Sequence, residues 1–195
     1  MTSKSDPRIT VLDRQTLSKR FVNLEKVTIE HATRSGGRII VEREIHDHGN
    51  AAAILLYDPA RKSVVLVRQL RVPVYLNGGE GWMIEIPAGL LDGDHPAEAI
   101  AREAMEETGY LVDNAEHLFD AYMSPGSLTE RVALFAAEVD LSKKVGEGGG
   151  LAHEGEDIEV LELTLDAAFA MIATGEICDG KTIMMLQWAK MRYSG

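Results

Sequence analysis

The sequence AREAMEETGY, residues 101–110, places three glutamates, Glu103, Glu106 and Glu107, just before a glycine. Residues spaced i, i+3 and i+4 lie on one face of an α-helix, so the three carboxylates share a face. They also stand at the C-terminal end of the helix, where the macrodipole disfavours each negative charge by about 0.3–1 kcal/mol. This crowding indicates either a fully solvated acidic surface or a binding site for a cation.

The helix that carries these glutamates is predicted over Pro96–Thr108. Proline suits the first turn of a helix because its missing N–H has no partner there. Asp94 or His95 is placed to cap the N-terminus, and Gly109 is placed to end the helix. The sequence therefore predicts one well-bounded helix in the middle of the chain.

Short β-branched or apolar runs predict strands on both sides of this helix. They cover residues 21–31, 38–45, 51–57, 63–70 and 81–89 before it, and 130–140 and 157–164 after it. Two closing helices are predicted at 165–175 and 180–193, and the glycine-rich acidic segment 145–157 is predicted to be a mobile loop. Strands with a helix inserted midway and helices at the end predict an α/β sandwich with a mixed sheet.

The composition excludes several classes of function. With 195 residues the chain is long enough for one substantial domain, and its net charge of −11 argues against a general nucleic-acid or anionic-membrane surface. Cys178 is the single cysteine, so an internal disulfide is excluded and a reducing compartment is expected. No stretch approaches the roughly 20 apolar residues of a membrane span. We therefore expect a cytoplasmic protein.

A divalent cation would explain the acidic helix. Mg²⁺ prefers oxygen ligands and binds through one or two carboxylates, together with water and substrate phosphates. The three glutamates have the spacing to hold such ions, but the same spacing is common on solvated helix surfaces. On the residues alone both interpretations stay open.

The longer stretch PAGLLDGDHPAEAIAREAMEETGY, residues 87–110, resembles the Nudix box. Its helical half matches in register: Arg-Glu at 102–103, an aliphatic residue at 104, Glu-Glu at 106–107 and glycine at 109. The first half departs from the box, because Asp94 stands at the usual glutamate position and Ala88 at the usual glycine position. Tyr110 replaces a usual aliphatic residue. These departures resemble the branch of the family that contains GDP-mannose and ADP-ribose pyrophosphatases.

This resemblance implies a Nudix α/β/α sandwich over residues 49–195, preceded by an antiparallel β arm over 1–48 that serves dimerisation and substrate contact. It implies metal ligands at the Ala88 carbonyl, Glu103 and Glu107, with Glu106 close by and Arg102 orienting the carboxylates. Glu156 is implied as the general base or the ligand that closes the metal site. Its loop neighbour Glu154 is an alternative base.

Further substrate contacts are implied outside the helix. Arg68 and Arg71 are three apart and face opposite sides of a strand, so we expect at most one of them to reach the substrate. The resemblance favours Arg71. The full set of implied substrate-binding residues is Arg43, Glu44, Arg71, Gly89, Glu130 and Lys181. Glu130 is also an alternative base. Each has an ordinary structural alternative: a solvated arginine, a carboxylate at a strand start, or a lysine at a helix start.

The resemblance implies a Mg²⁺-dependent pyrophosphohydrolase, for which Mn²⁺ can substitute, acting as a homodimer. The favoured reaction splits GDP-mannose into GMP and mannose 1-phosphate. The alternatives are ADP-ribose cleavage into AMP and ribose 5-phosphate, or a Nudix-fold nucleotide-binding regulator without turnover. The intact glutamate triplet argues against the last, because a binding module has no chemical need for it.

Overall fold

A computed structural model describes residues 6–193, without the side chain of Glu154. Within this part the chain forms two compact units, which are residues 6–49 with 122–130, and residues 50–121 with 131–193. No helix in the described residues is long and apolar enough to cross a membrane.

The first unit contains a three-stranded antiparallel sheet in the order β1-β2-β3. Its strands are β1 (Ile9–Lys19), β2 (Asn23–Ala32) and β3 (Arg38–Asp47). The two strands predicted here are present, and β1 is an additional strand that pairs along almost all of β2. The segment 122–130 joins this unit through the Ser127 carbonyl, which accepts from His46 N at 2.9 Å.

The second unit contains a seven-stranded mixed sheet. The order is β10-β5-β4-β9-β8, with β6 paired to β5 and β7 paired to β4. Its strands are β4 (Ala51–Asp58), β5 (Ser63–Leu70), β6 (Trp82–Glu85), β7 (Ala88–Leu90), β8 (Glu116–Tyr122), β9 (Arg131–Glu138) and β10 (Glu159–Thr164). The β4 and β9 strands run parallel, whereas the β10–β5, β4–β5, β4–β7 and β5–β6 pairs are antiparallel.

Four helices accompany this sheet: α1 (Val72–Leu76), α2 (Pro96–Thr108), α3 (Leu165–Thr174) and α4 (Gly180–Tyr193). Successive residues of a strand face opposite sides, so the two faces of β4 pack against different helices. Ile54 and Leu56 pack with Ile100 and Ala104 of α2. Tyr57 stacks on Tyr193 of α4, with 3.9 Å between the ring centroids. The predicted mixed α/β sandwich is confirmed.

The central helix has the predicted bounds. Pro96 occupies its first turn, and Gly109 ends it in the left-handed conformation with φ of 78°. The N-cap residue is His95, whose side chain forms no capping hydrogen bond. Short elements with weak sequence signals were not predicted: α1, the edge strand β8 and a single 3-10 turn at Ala152–Glu154.

The first part of the segment 145–157, which was predicted to be a mobile loop, forms backbone hydrogen bonds with the end of α2. The Val145 N–H donates to the Gly109 carbonyl at 2.9 Å, and the Gly149 N–H donates to the Glu107 carbonyl at 2.9 Å. The carbonyls of the last helical turn have no partner within a helix and need outside donors. This segment supplies them, so it is held on the end of α2.

Candidate active site

The three glutamates of α2 differ in exposure although they share one face. Glu107 is buried, with 1% of its surface exposed, whereas Glu103 and Glu106 are half-buried. A solvated acidic surface does not bury a carboxylate to this extent, because an unpaired buried charge is strongly disfavoured. The structure therefore argues against the purely solvated interpretation of this helix.

The surroundings of Glu107 disfavour its charged form. Burial, followed by the negative charges of Glu156 and Glu103, raises the pKa of Glu107 to about 8. The Ala88 amide donates to its carboxylate at 3.3 Å, which opposes the shift, as does the charge of Arg71. Positive charge placed at this point would allow the carboxylate to ionise.

Glu103 lies directly against the backbone of Gly89, just after the start of β7. A Cβ atom on Gly89 would come within 2.6 Å of the Glu103 Oε1 atom, so a larger residue here would displace the Glu103 side chain. Arg102 Nη2 lies 3.7 Å from Glu103 Oε1, and Arg102 Nη1 donates to Asp94 at 2.9 Å. The hydrogen bond to Asp94, together with the charges of Asp94 and Glu103, raises the pKa of Arg102.

Glu156 reaches the same cluster from the loop. Its Oε2 atom accepts a hydrogen bond from the Leu151 N–H at 2.9 Å, and its charge raises the pKa of Glu107. The structure therefore brings Glu156 near Glu107, and its role as base or closing ligand stays a prediction. Glu154 is the alternative base, and its side chain lies outside the described atoms.

A second cluster lies beside these carboxylates and contains buried ion pairs. Glu85, at the end of β6, is 2% exposed. It accepts from Arg71 Nε at 3.0 Å, from Arg71 Nη2 at 2.6 Å and from Lys181 Nζ at 3.1 Å. Lys181 Nζ also lies 3.0 Å from Asp179 Oδ1. Two cations and two carboxylates thus form one compact network.

The pKa shifts of this network follow from its geometry. Burial acts to raise the pKa of Glu85, but the hydrogen bond from Arg71 and the charges of Lys181 and Arg71 hold it below its ordinary value. Burial acts to lower the pKa of Arg71, but the hydrogen bond and charge of Glu85 raise it, helped by Glu107. Because the charges of Arg71 and Glu107 interact, Arg71 supplies positive charge near the acidic cluster.

The predictions did not include Glu85. The available signal was a charged residue between Ile84 and Ile86 in a predicted strand. A buried charge requires a partner, so this position indicated an ion pair, although its partners are 14 and 96 residues away. Arg68 is paired elsewhere, with Glu159 at 2.8 Å.

A model of the NUDIX domain matches residues 47–183. The chain belongs to the Nudix family. The GDP-mannose pyrophosphatase of Pectobacterium atrosepticum is 50% identical over 94% of this chain and 95% of that protein. The enzyme of the same name from Yersinia enterocolitica is 49% identical over 90% and 91%, and that from Shigella flexneri serotype 5b is 46% identical over 95% and 97%.

The Nudix fold is also found in solved structures. A crystal structure of an ADP compounds hydrolase aligns with a TM-score of 0.72 over 97% of this chain and 98% of that chain, at 22% identity. At this identity the likeness shows the fold alone. The predicted family and the predicted class of enzyme, a Nudix hydrolase, are both confirmed.

Three predicted Nudix site residues lie in the first unit. Arg43 and Glu44 are exposed on β3, and Arg43 Nη1 donates to the Glu42 carbonyl at 2.7 Å. Glu130 Oε1 lies 3.8 Å from His48 Nε2. Their roles in substrate binding stay predictions, and the same holds for Gly89 and Lys181 in the second unit.

Nudix hydrolases generally use a divalent metal, and the donor chemistry here fits one. Glu103, Glu107 and Glu156 offer carboxylate oxygens and Ala88 offers a carbonyl, the hard donors that Mg²⁺ and Mn²⁺ prefer. Within the described side chains, no three His, Cys, Asp or Glu residues are already spaced around a single point as metal ligands. The fit therefore rests on donor type and on the burial of the Glu107 carboxylate.

Proposed function

We propose that this Nudix hydrolase cleaves GDP-mannose into GMP and mannose 1-phosphate, with Mg²⁺ as its metal. The proposed identity of the substrate is supported by the near-complete alignment, at 50% identity, with a protein named GDP-mannose pyrophosphatase. The acidic cluster around the buried Glu107 supports diphosphate chemistry. The reducing cytoplasm is the proposed compartment, in keeping with an exposed thiol at Cys178.

The proposed metal ligands are Glu103, Glu107 and the Ala88 carbonyl, with Glu106 beside them and Glu156 closing the site. A bound metal ion neutralises the diphosphate and lowers the pKa of water. Arg71 uses Nε and Nη2 for Glu85, which orients the guanidinium and directs the remaining nitrogen, Nη1, away from that pair. We assign this nitrogen to a phosphate oxygen of the substrate.

Glu156 is the proposed general base. In this reaction a water oxygen attacks one phosphorus and its proton passes to the Glu156 carboxylate. The bond between that phosphorus and the bridging oxygen breaks, and the second phosphate leaves with the bridging oxygen. The Leu151 N–H holds one oxygen of Glu156, so the carboxylate is oriented before substrate arrives.

Product analysis tests the reaction. Purified protein is incubated with GDP-mannose, ADP-ribose and other nucleotide sugars, each with Mg²⁺ or with Mn²⁺, and the products are separated by chromatography. We expect the highest kcat/KM for GDP-mannose, and hydrolysis in ¹⁸O-water identifies which phosphorus is attacked. An equal or higher kcat/KM for ADP-ribose would reassign the substrate. No turnover of any compound would favour a binding module.

We propose a homodimer formed through the β1–β3 sheet. Every residue of β1 is exposed in the isolated chain, and several exposed side chains of this unit are apolar: Ile9, Val11, Leu12, Leu17, Phe21, Ile39 and Ile40. An apolar surface of this kind is typical of protein–protein contacts. A second copy of the chain is the proposed occupant.

Light scattering at micromolar protein tests the assembly. We expect the mass of a dimer, and we expect Ile40→Asp to weaken it. Val145→Asp is the control, because Val145 is similarly exposed but lies outside this sheet. A monomeric mass for the unsubstituted protein would overturn the proposal.

A further inference from the structure

Three consecutive glycines, Gly148, Gly149 and Gly150, form a segment that we call the glycine strap. All three adopt left-handed backbone conformations, with φ of 72°, 100° and 76°. Residues with a side chain rarely adopt this conformation, and a run of three depends on glycine. The chain therefore takes an unusual path at this point.

One side of the strap is bound to the end of α2. The Gly149 N–H donates to the Glu107 carbonyl at 2.9 Å, and the Gly150 N–H donates to the Glu106 carbonyl at 3.1 Å. A Cβ atom on Gly148 would lie 2.7 Å from the Glu107 carbonyl oxygen. Backbone hydrogen bonds and close packing thus fix the strap to the same residues that carry the metal-site carboxylates.

The other side of the strap holds Glu156. The first N–H after the strap, from Leu151, donates to Glu156 Oε2 at 2.9 Å. A Cβ atom on Gly150 would come within 2.5 Å of that same oxygen. The Gly149 carbonyl accepts from Ile158 N at 3.1 Å, which closes the turn that contains Glu156. The Glu156 carboxylate therefore packs against Gly150 of the strap and is hydrogen-bonded to the residue that follows it.

We infer that the glycine strap is a positioning device that fixes the Glu156 carboxylate relative to Glu107 and so sets both metal binding and base geometry. The last turn of α2 and Glu156 are joined through a short path with hydrogen bonds at Gly149, Gly150 and Leu151. This inference rests on the proposed function for its kinetic consequence. The placement of Glu156 itself does not depend on which nucleotide sugar is cleaved.

Gly150→Ala tests the strap, because its methyl group enters the space of the Glu156 carboxylate. We expect kcat to fall by about tenfold or more while KM for the nucleotide sugar changes by less than about threefold. Binding of Mn²⁺, measured by electron paramagnetic resonance without substrate, weakens in the same variant. A general loss of stability does not produce this separation of kcat from KM.

A matched control separates the collision from backbone strain. Gly175→Ala imposes the same kind of strain, at φ of 82°, at the end of α3, with nothing within 4 Å of the added methyl. We expect it to lower the melting temperature while kcat stays within about threefold of the unsubstituted enzyme.

The inference is overturned if Gly150→Ala keeps the kcat and Mn²⁺ affinity of the control variant. Hydrogen–deuterium exchange of the unsubstituted protein gives a test without a variant. We expect the Gly149 and Gly150 amides to be protected like the last turn of α2, and rapid exchange there would also overturn the inference. If the unsubstituted protein hydrolyses no nucleotide sugar, the proposed function fails, whereas Mn²⁺ binding and exchange still test the strap.

Discussion

The Ala88 amide donates a hydrogen bond to the Glu107 carboxylate, with 3.3 Å between Ala88 N and Glu107 Oε2. This contact joins the start of β7 to the last turn of α2, across 19 residues of sequence. It pairs a backbone amide of β7 with a buried carboxylate of α2. The activity and the stability of the protein should therefore both depend on Glu107.

Glu107→Gln should lower kcat by at least about a hundredfold, a loss of roughly 2.7 kcal/mol in transition-state stabilisation. The amide keeps the size of the side chain but cannot supply a negative charge to a metal ion. Steady-state kinetics with saturating Mg²⁺ measure the effect. Glu98→Gln, on an exposed position of the same helix, is the control and should keep full activity. Turnover near that of the unsubstituted enzyme in Glu107→Gln would refute the metal assignment.

Metal-free protein should lose stability as the pH rises, and Glu107 should be a cause. Its folded pKa is raised to about 8 from an ordinary 4.5, so the folded state retains a proton that the unfolded state releases. The resulting contribution is fully present below about pH 4.5 and is lost as the pH rises through about 8. Urea unfolding in a chelator between pH 5 and pH 9 measures it.

The Glu107→Gln variant serves as the comparison for this pH dependence, because glutamine resembles the protonated acid and does not titrate. We expect the variant to gain stability relative to the unsubstituted protein with rising pH, and Mg²⁺ to remove most of the difference. Parallel pH profiles for the two metal-free proteins would show that Glu107 is not the titrating group.

Glu156→Gln should reduce kcat strongly and leave substrate binding in the ground state nearly unchanged. The amide can still accept the Leu151 N–H bond, but it is a poor proton acceptor for the attacking water. Single-turnover rates and direct titration with the nucleotide sugar separate the two effects. Glu147→Gln, exposed in the same loop, should behave as the unsubstituted enzyme. An unchanged kcat in Glu156→Gln would leave Glu130 or Glu154 as the base.

Lys181→Met should destabilise the fold more than the loss of an ordinary surface lysine. The Lys181 side chain is 13% exposed and pairs with Glu85 and Asp179, so its removal leaves these two carboxylates with Arg71 as their cation, at a cost of roughly 3 kcal/mol. Lys190→Met is the matched control, because Lys190 pairs with the largely exposed Asp166. Its cost should be at most about 1 kcal/mol. Denaturant unfolding measures both.

The same pair of variants distinguishes the two roles of Lys181. If Lys181→Met unfolds at the same denaturant concentration as the unsubstituted protein and raises KM, then Lys181 contacts substrate, as the family resemblance implies. A loss of stability with little change in KM assigns it to the ion network with Glu85 and Asp179.

Much of the fold was predictable because its signals are local. The bounds of α2 follow from proline at its start and glycine at its end, and the buried strands β4 and β5 follow from continuous apolar runs. Short or edge elements such as α1 and β8 lack such signals. The glycine-rich loop was predicted to be mobile because of its composition. The carbonyls that accept its hydrogen bonds belong to the end of α2, which lies much earlier in the chain, so no local pattern reveals these contacts.

The sequence by itself determined the family, the acidic face of α2 and the identity of the carboxylates, because helical periodicity and the spacing of the motif are properties of neighbouring residues. Only the tertiary structure decided which of these carboxylates is buried, that Gly89 makes room for Glu103, and that the ion network is centred on Glu85. These properties depend on the meeting of strand ends, a helix end and a loop that are far apart in the chain. Burial and partner charge determine the protonation of an acid, and both are set by packing.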